Sequence, residues 1–123
     1  MPELPEVETT RRGVSPHLLQ RRITGIDVRN PSLRIPVPDG IHDLKGCVIT
    51  SVDRRAKYLL IQSKAGHLLV HLGMSGSLRV SDPTDPHRKH DHVVFHLDSG
   101  KELRFHDPRR FGLLEWIPVG NDP

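Results

Sequence analysis

His92-Val93-Val94-Phe95-His96-Leu97-Asp98-Ser99-Gly100-Lys101-Glu102-Leu103-Arg104-Phe105 is the stretch that decides the fold. Val93, Phe95 and Leu97 fall at alternate positions, and the alternation resumes at Leu103 and Phe105 after Asp98-Ser99-Gly100. A period of two sends alternate side chains to one face of a strand, and Asp, Ser and Gly are the residues a tight turn accepts. The stretch therefore reads as an antiparallel hairpin with one buried face.

Working outward, Leu68, Val70 and Leu72 repeat the alternation, while Tyr58 to Ile61 is continuously apolar, as in a strand covered on both faces. Lys64-Ala65-Gly66 and Ser75-Gly76 read as further hairpin connections, and residues 82–91 as a polar loop without periodicity. At the other end of the chain, Leu4, Val7, Val14 and Leu18 recur at near-helical spacing, so residues 3–20 are predicted to be helical. Gly13 and Pro16 are expected to split or kink that helix. The sum is a mainly β protein with an N-terminal helix: a two-layered antiparallel β-sandwich flanked by α-helix. One domain is expected over residues 1–117. Pro118-Val119-Gly120-Asn121-Asp122-Pro123 has the composition of a linker, here the start of one leading to a second domain outside this chain.

Composition narrows the function classes. At 123 residues with 27% charged residues and no long apolar run, the chain reads as one soluble domain without a membrane span. The acidic start does not suit a signal peptide, and a cytoplasmic setting is expected. Cys47 is alone, which excludes a disulfide or a Cys-rich zinc site within the chain. The net charge is only +3, but 13 of the 18 basic residues are arginine, several of them in adjacent pairs. The planar guanidinium fork matches phosphate, so a phosphate-bearing partner is favoured, with a merely solvated basic surface left open as the alternative on composition alone.

The chemistry concentrates at the start, Met1-Pro2-Glu3. Proline is small enough to permit removal of Met1, which leaves a secondary α-amine. Such an amine titrates near about 7.7–8.0, against about 10.4 for lysine, so a useful fraction is nucleophilic at neutral pH. Condensed with an aldehyde carbon it gives an obligatorily cationic iminium, an electron sink for elimination chemistry. Glu3 stands beside it as a proton shuttle. The same residues also suit a plain helix start, because Pro favours the first turn and acids favour the positive end of the dipole.

Nine histidines raise the question of a metal. His92 and His96 fall on the polar face of their strand, with His90 and His106 nearby. There is no His-Glu-x-x-His pattern and no carboxylate fixed by spacing, so they read as surface or phosphate-contacting residues. Arg54-Arg55-Ala56-Lys57 forms a basic cluster leading into a buried strand. His71-Leu72-Gly73-Met74-Ser75-Gly76 and Asp107-Pro108-Arg109-Arg110-Phe111-Gly112 each carry a bulky side chain on a glycine-bounded turn. Taken separately, Met74 reads first as a core gap-filler, but a large apolar side chain on such a turn is also what proteins use to wedge open duplex DNA.

Together Met1-Pro2-Glu3-Leu4-Pro5-Glu6-Val7-Glu8-Thr9, Arg54-Arg55-Ala56-Lys57-Tyr58-Leu59-Leu60, His71 to Arg79, Lys89-His90-Asp91-His92 and Asp107 to Gly112 resemble the N-terminal domain of bacterial formamidopyrimidine-DNA glycosylases. The resemblance spans essentially the whole chain, with the motifs in order. It implies that Pro2 attacks the anomeric carbon of a flipped-out damaged nucleotide while Glu3 moves protons at the sugar. Lys57 becomes the proton donor of β-elimination, close to the backbone phosphates. His90 and Arg109 contact DNA; Met74, Arg109 and Phe111 fill the space left by the extruded base, with Arg109 facing the orphaned partner. Glu6 is placed near the lesion pocket.

The same resemblance implies double-stranded DNA bearing an oxidised purine (8-oxoguanine or a formamidopyrimidine) or an abasic site as the partner, acted on by a monomer in a bacterial cytoplasm. No cofactor is expected in this chain, and zinc only in the family's C-terminal domain, which lies outside it. Two other classes stay open on the residues alone. One is a non-catalytic nucleic-acid-binding β module; the other is a tautomerase using an N-terminal proline as general base.

Overall fold

The computed structural model describes residues 4–33, 35–73 and 76–119. The elements are α1 (Leu4–Leu18), β1 (Ile23–Val28), a 3-10 helix (Asp39–Leu44), β2 (Ser51–Arg55), β3 (Tyr58–Gln62), β4 (Gly66–His71), β5 (Ser77–Ser81), β6 (Asp91–Leu97), β7 (Glu102–His106) and β8 (Leu113–Pro118). The strands form two four-stranded sheets, ordered β1-β6-β7-β5 and β2-β3-β4-β8. Every pairing in them is antiparallel. This is the expected sandwich.

Its core comes from the alternation that defined it. Val93, Phe95, Leu97, Leu103 and Phe105 are at most 3% exposed and share one apolar cluster with Leu59, Ile61, Leu68 and Val70 of the other sheet. The β6–β7 turn falls on Asp98-Ser99-Gly100, where Gly100 takes the left-handed φ of 88° that closes so short a loop. β2 and β5 lie at the free edges of their sheets, and α1 packs against both, burying Val7, Val14 and Leu18. Helix packing covers two edges that would otherwise offer unpaired backbone groups to another chain.

Three expectations change. The helix runs unbroken from Leu4 to Leu18 through Gly13 and Pro16. Val14 and Leu18, 3% and 0% exposed, anchor the last turn in the core, and that burial outweighs the local backbone penalties. The hairpin expected at Ser75-Gly76 is not formed, because β4, which ends at His71, belongs to one sheet and β5, which begins at Ser77, to the other. The third concerns the polar face of the β6–β7 sheet, which is roofed by the loop at 82–90 instead of facing solvent. Arg104, 1% exposed, donates to the carbonyl oxygens of Asp82, Asp85 and Pro86 at 3.2, 2.8 and 3.3 Å and to Glu102 Oε1 at 3.0 Å. One buried guanidinium thus supplies the order that the loop's own sequence lacks.

Candidate nucleic-acid interface

The register of the ladders brings five sequence motifs to one end of the sandwich. β2 ends and β3 begins there, across the turn Ala56-Lys57, because Arg55 pairs with Tyr58. β4 ends there at His71, opposite Tyr58 on one side and Leu113 of β8 on the other. In the second sheet, β5 starts at Ser77 opposite His106, and β6 starts at Asp91 opposite His106 as well. The two short crossovers at 72–76 and 107–112 then join the sheets at this same end.

The helix start joins them through charge. Gln20 N–H donates to the carbonyl of Ile49 at 2.9 Å, while Glu8 Oε1 accepts from Arg54 Nε at 3.2 Å, so α1 runs antiparallel to β2. Its N-terminus therefore points toward the Lys57 turn. Glu8 also binds Arg11 at 2.6 and 2.9 Å and Arg12 at 2.9 Å. The hydrogen bonds from Arg11, aided by those from Arg12 and Arg54, hold its carboxyl down at about 2. Arg54, one of the arginines that composition alone assigns to phosphate, thus fastens the helix to β2, while Arg11 and Arg12 pair with Glu8 within the helix.

The crossovers touch each other. Gly73 adopts φ 65°, and a Cβ there would stand 2.8 Å from both the Phe111 carbonyl carbon and Gly112 N. Only glycine allows that approach, which sets the 72–76 turn directly on the Phe111 turn. Phe111 is 45% exposed, one of the few large apolar side chains left in solvent, and Arg109 Cζ lies 5.0 Å from its ring centroid. Stacking of this kind holds both groups on one outward-facing platform. Arg110 has φ 58° and Ala56 φ 52°, two of the three non-glycine residues with positive φ among the described residues, and both lie at this end. Backbone strain concentrated in this way is a mark of functional turns.

His90, half-buried, sits between the two groups of loops. Its ring centroid is 5.9 Å from that of His92 and 6.0 Å from that of His106. Burial, then the neighbouring charge of Lys89, His92, His106 and Arg110, pushes it below the usual imidazole range. His92 corrects the surface reading: it is 1% exposed and its Nε2 donates to the Asp107 carbonyl at 2.6 Å. His96 is held by Asp27 at 2.7 Å and Glu102 at 3.4 Å, and His106 by Asp91 at 2.9 Å. Burial acts to raise the Asp91 carboxyl, but the Arg88 N–H, His106 and Arg79 outweigh it and lower it. Among the described residues no group of three or more His, Cys, Asp or Glu side chains is arranged to hold a metal ion.

Of the residues singled out in the sequence, Lys57, His90, Arg109 and Phe111 are brought to one end, all but His90 exposed. Glu6 is exposed in the first turn of α1. Pro2, Glu3 and Met74 lie outside the described residues, although the segments flanking them, the helix start and Gly73, belong to this end. The sequence reading missed three residues here: His71, whose ring packs 5.2 Å from Tyr58, the strained Arg110, and the buried Asp107. The turn motifs contain all three, but periodicity does not distinguish them from their neighbours.

Residues 1–114 match the family model for the formamidopyrimidine-DNA glycosylase N-terminal domain. A formamidopyrimidine-DNA glycosylase of Shewanella woodyi is 58% identical over 125 residues, covering 100% of this chain and 46% of that protein. One of Alcanivorax borkumensis is 61% identical over 112 residues, 91% of this chain and 42% of the relative. The fold matches the Lactococcus lactis formamidopyrimidine-DNA glycosylase bound non-covalently to DNA containing an abasic site, with a TM-score of 0.87, 31% identity, and coverage of 96% of this chain and 46% of that one. The complex of the Lactococcus lactis enzyme with Fapy-dG-containing DNA gives 0.86 and 32%, covering 95% and 44%. The chain spans less than half the length of each of these relatives.

Proposed function

We propose, for a chain that belongs to the formamidopyrimidine-DNA glycosylase N-terminal domain family, that it is the catalytic half of a DNA repair enzyme acting on oxidised purines and abasic sites. The observation that carries this reading is the convergence of the helix start, the Lys57 turn, His90 and the Arg109–Phe111 turn at one end of the sandwich. The solved relatives bound to abasic-site and Fapy-dG DNA support the choice of partner.

In this reading the Pro2 amine attacks C1′ of the extruded nucleotide, the glycosidic bond breaks, and the base departs with a proton. The product is an iminium between Pro2 and the opened sugar. That cation acidifies the C2′ proton, whose loss breaks the bond to the 3′ phosphate in β-elimination, and δ-elimination then releases the 5′ phosphate. Glu3 moves protons at the sugar and Lys57 supplies one to the departing side. An ammonium on the exposed β2–β3 turn also attracts the phosphates flanking it. Glu6, on the first turn of α1, faces the lesion pocket.

His90 and Arg109 hold the backbone and the orphaned base, while Met74, Arg109 and Phe111 fill the gap in the stack. Filling such a gap offsets an unstacking cost of about a few kcal/mol per step. The site end is an outward-facing platform, so a second wall for the DNA falls to the part of the protein beyond residues 1–117. The linker to it follows β8, which ends at Pro118 opposite Gly66, and zinc belongs beyond it, with no cofactor in this chain. The working form is a monomer on duplex DNA in a bacterial cytoplasm.

Borohydride trapping on abasic-site DNA tests the reading. The adduct, mapped by mass spectrometry, is expected on Pro2 of the Met1-free chain. Attachment to a lysine, or equal trapping by Pro2→Gly and by a form retaining Met1, overturns it.

A further inference from the structure

The geometry points to Asp107 as a positioning residue: it clasps the Arg109–Phe111 turn to His90, the residue just before β6, so that the phosphate-contacting and duplex-opening groups are carried as one body. The inference rests on the proposed function for what those groups do, and on contacts independent of it for how they are held.

Asp107 is 0% exposed at the exit of β7. Its N–H donates to the His90 carbonyl at 3.0 Å. Its own carbonyl accepts from His92 Nε2 at 2.6 Å and from the Arg110 N–H at 3.3 Å. Its side chain then reaches across the turn, where Oδ2 accepts the Gly112 N–H at 2.7 Å. One residue therefore ties both ends of the 108–111 segment and joins them to His90 and to His92 at the start of β6.

The clasp needs its acceptor. Gly112 is buried, and a Cβ placed on it would lie 2.6 Å from the His71 carbonyl oxygen, 2.9 Å from Asp107 Oδ2 and 3.0 Å from Phe105 Cζ. Without Oδ2 its N–H would be a buried donor lacking a partner, which a turn resolves by moving. Movement there would carry Phe111, Arg109 and, through the Gly73 contact, the neighbouring 72–76 turn. The strained φ of 58° at Arg110 is the conformation such a clasp has to hold in place. A carboxylate serves here by spanning the turn, and it takes no part in the reaction.

The test uses the full-length protein with Asp107→Ala and Asp107→Asn, the latter keeping an acceptor oxygen at the same reach. In Asp107→Ala, amide exchange is expected to accelerate in residues 108–113 and stay unchanged in β6 and β7. Cleavage of a paired lesion duplex should fall by about tenfold to a hundredfold, the worth of a hydrogen bond to a charged group. Cleavage of a preformed abasic site should stay within about threefold, as for a neutral change. Asp107→Asn should recover most of the loss.

Wild-type duplex cleavage by Asp107→Ala overturns the proposal, as do equal losses on both substrates that Asn does not recover, the mark of a residue serving the fold alone. If Asp107→Ala does not fold, Asp107→Ser, whose hydroxyl falls short of Gly112, must show the same split between substrates or the proposal fails. Absence of trapping and cleavage by the wild type would remove the DNA-lesion reading instead, and amide exchange would still decide whether the clasp exists.

Discussion

Two single residues carry opposite kinds of charge chemistry at this end of the molecule. Glu8 is a fastener, gathering Arg11, Arg12 and Arg54 on one carboxylate. Its folded value of about 2 lies below that of an unfolded glutamate near 4.5, so its stabilising effect is fully present above the unfolded value. That effect fades as the pH falls from about 4.5 and is gone below about 2. Glu8→Gln should therefore melt below the wild type at pH 7 and together with it near pH 2, and added salt should narrow the gap at pH 7. Thermal melts across that range check this; a difference that persists in acid would assign Glu8 a packing role. Lys57 is the opposite case, an exposed ammonium on a two-residue turn. In the full-length protein, Lys57→Ala should slow strand cleavage by about a hundredfold, the scale of a lost proton donor, and lower the salt slope of DNA binding by about one. Lys64→Ala is the control, because that lysine is also exposed but lies on the β3–β4 turn at the far end of the strand. Equal losses would reduce Lys57 to generic attraction.

At the scale of elements, the turns differ more than their sequences suggest. Gly100 and Gly73 both have positive φ, 88° and 65°, yet of the two only Gly73 has backbone atoms within 3 Å of where a side-chain methyl would stand. Both alanine variants should lose about 1 kcal/mol from left-handed strain, measured by urea denaturation. Gly73→Ala should lose more, and it alone should impair cleavage of lesion duplex, because it pushes the 72–76 and 107–112 crossovers apart. An unimpaired Gly73→Ala would mean the two crossovers act separately. Period-two alternation revealed the β6–β7 hairpin correctly because its turn joins neighbours in one sheet. Ser75-Gly76 looks the same in sequence, but the strands on either side of it, β4 and β5, lie in different sheets, and nothing within a few residues encodes which partner a strand will take. The helix shows a similar override: Gly13 and Pro16 lower local propensity, and burial of Val14 and Leu18 decides the outcome.

For the whole molecule, the arrangement predicts that Met74, Arg109 and Phe111 act as a unit although 35 or more residues separate Met74 from the others. Alanine at each, in the full-length protein, should reduce cleavage of a paired lesion duplex, with a smaller effect on a preformed abasic site where less must be opened. Arg109→Ala should also blur the preference for the base opposite the lesion, since the guanidinium fork makes paired hydrogen bonds to a base edge. Equal losses on both substrates with lower thermal stability would make them fold residues. The sequence by itself determined the class of fold, and it named Lys57, His90, Arg109 and Phe111, which the fold brings to one end, because alternation and turn chemistry are local signals that survive in one dimension. Only the tertiary structure decided which charges serve the fold and which face outward. Arg54 of β2 reaches Glu8 of the helix, the polar face holding His92 and Arg104 is roofed over, and Asp107 is buried beneath the turn it holds. Each of these depends on partners distant in sequence or on a burial that no local pattern specifies, and a side chain's chemistry is set by the neighbours that desolvate it and share its protons.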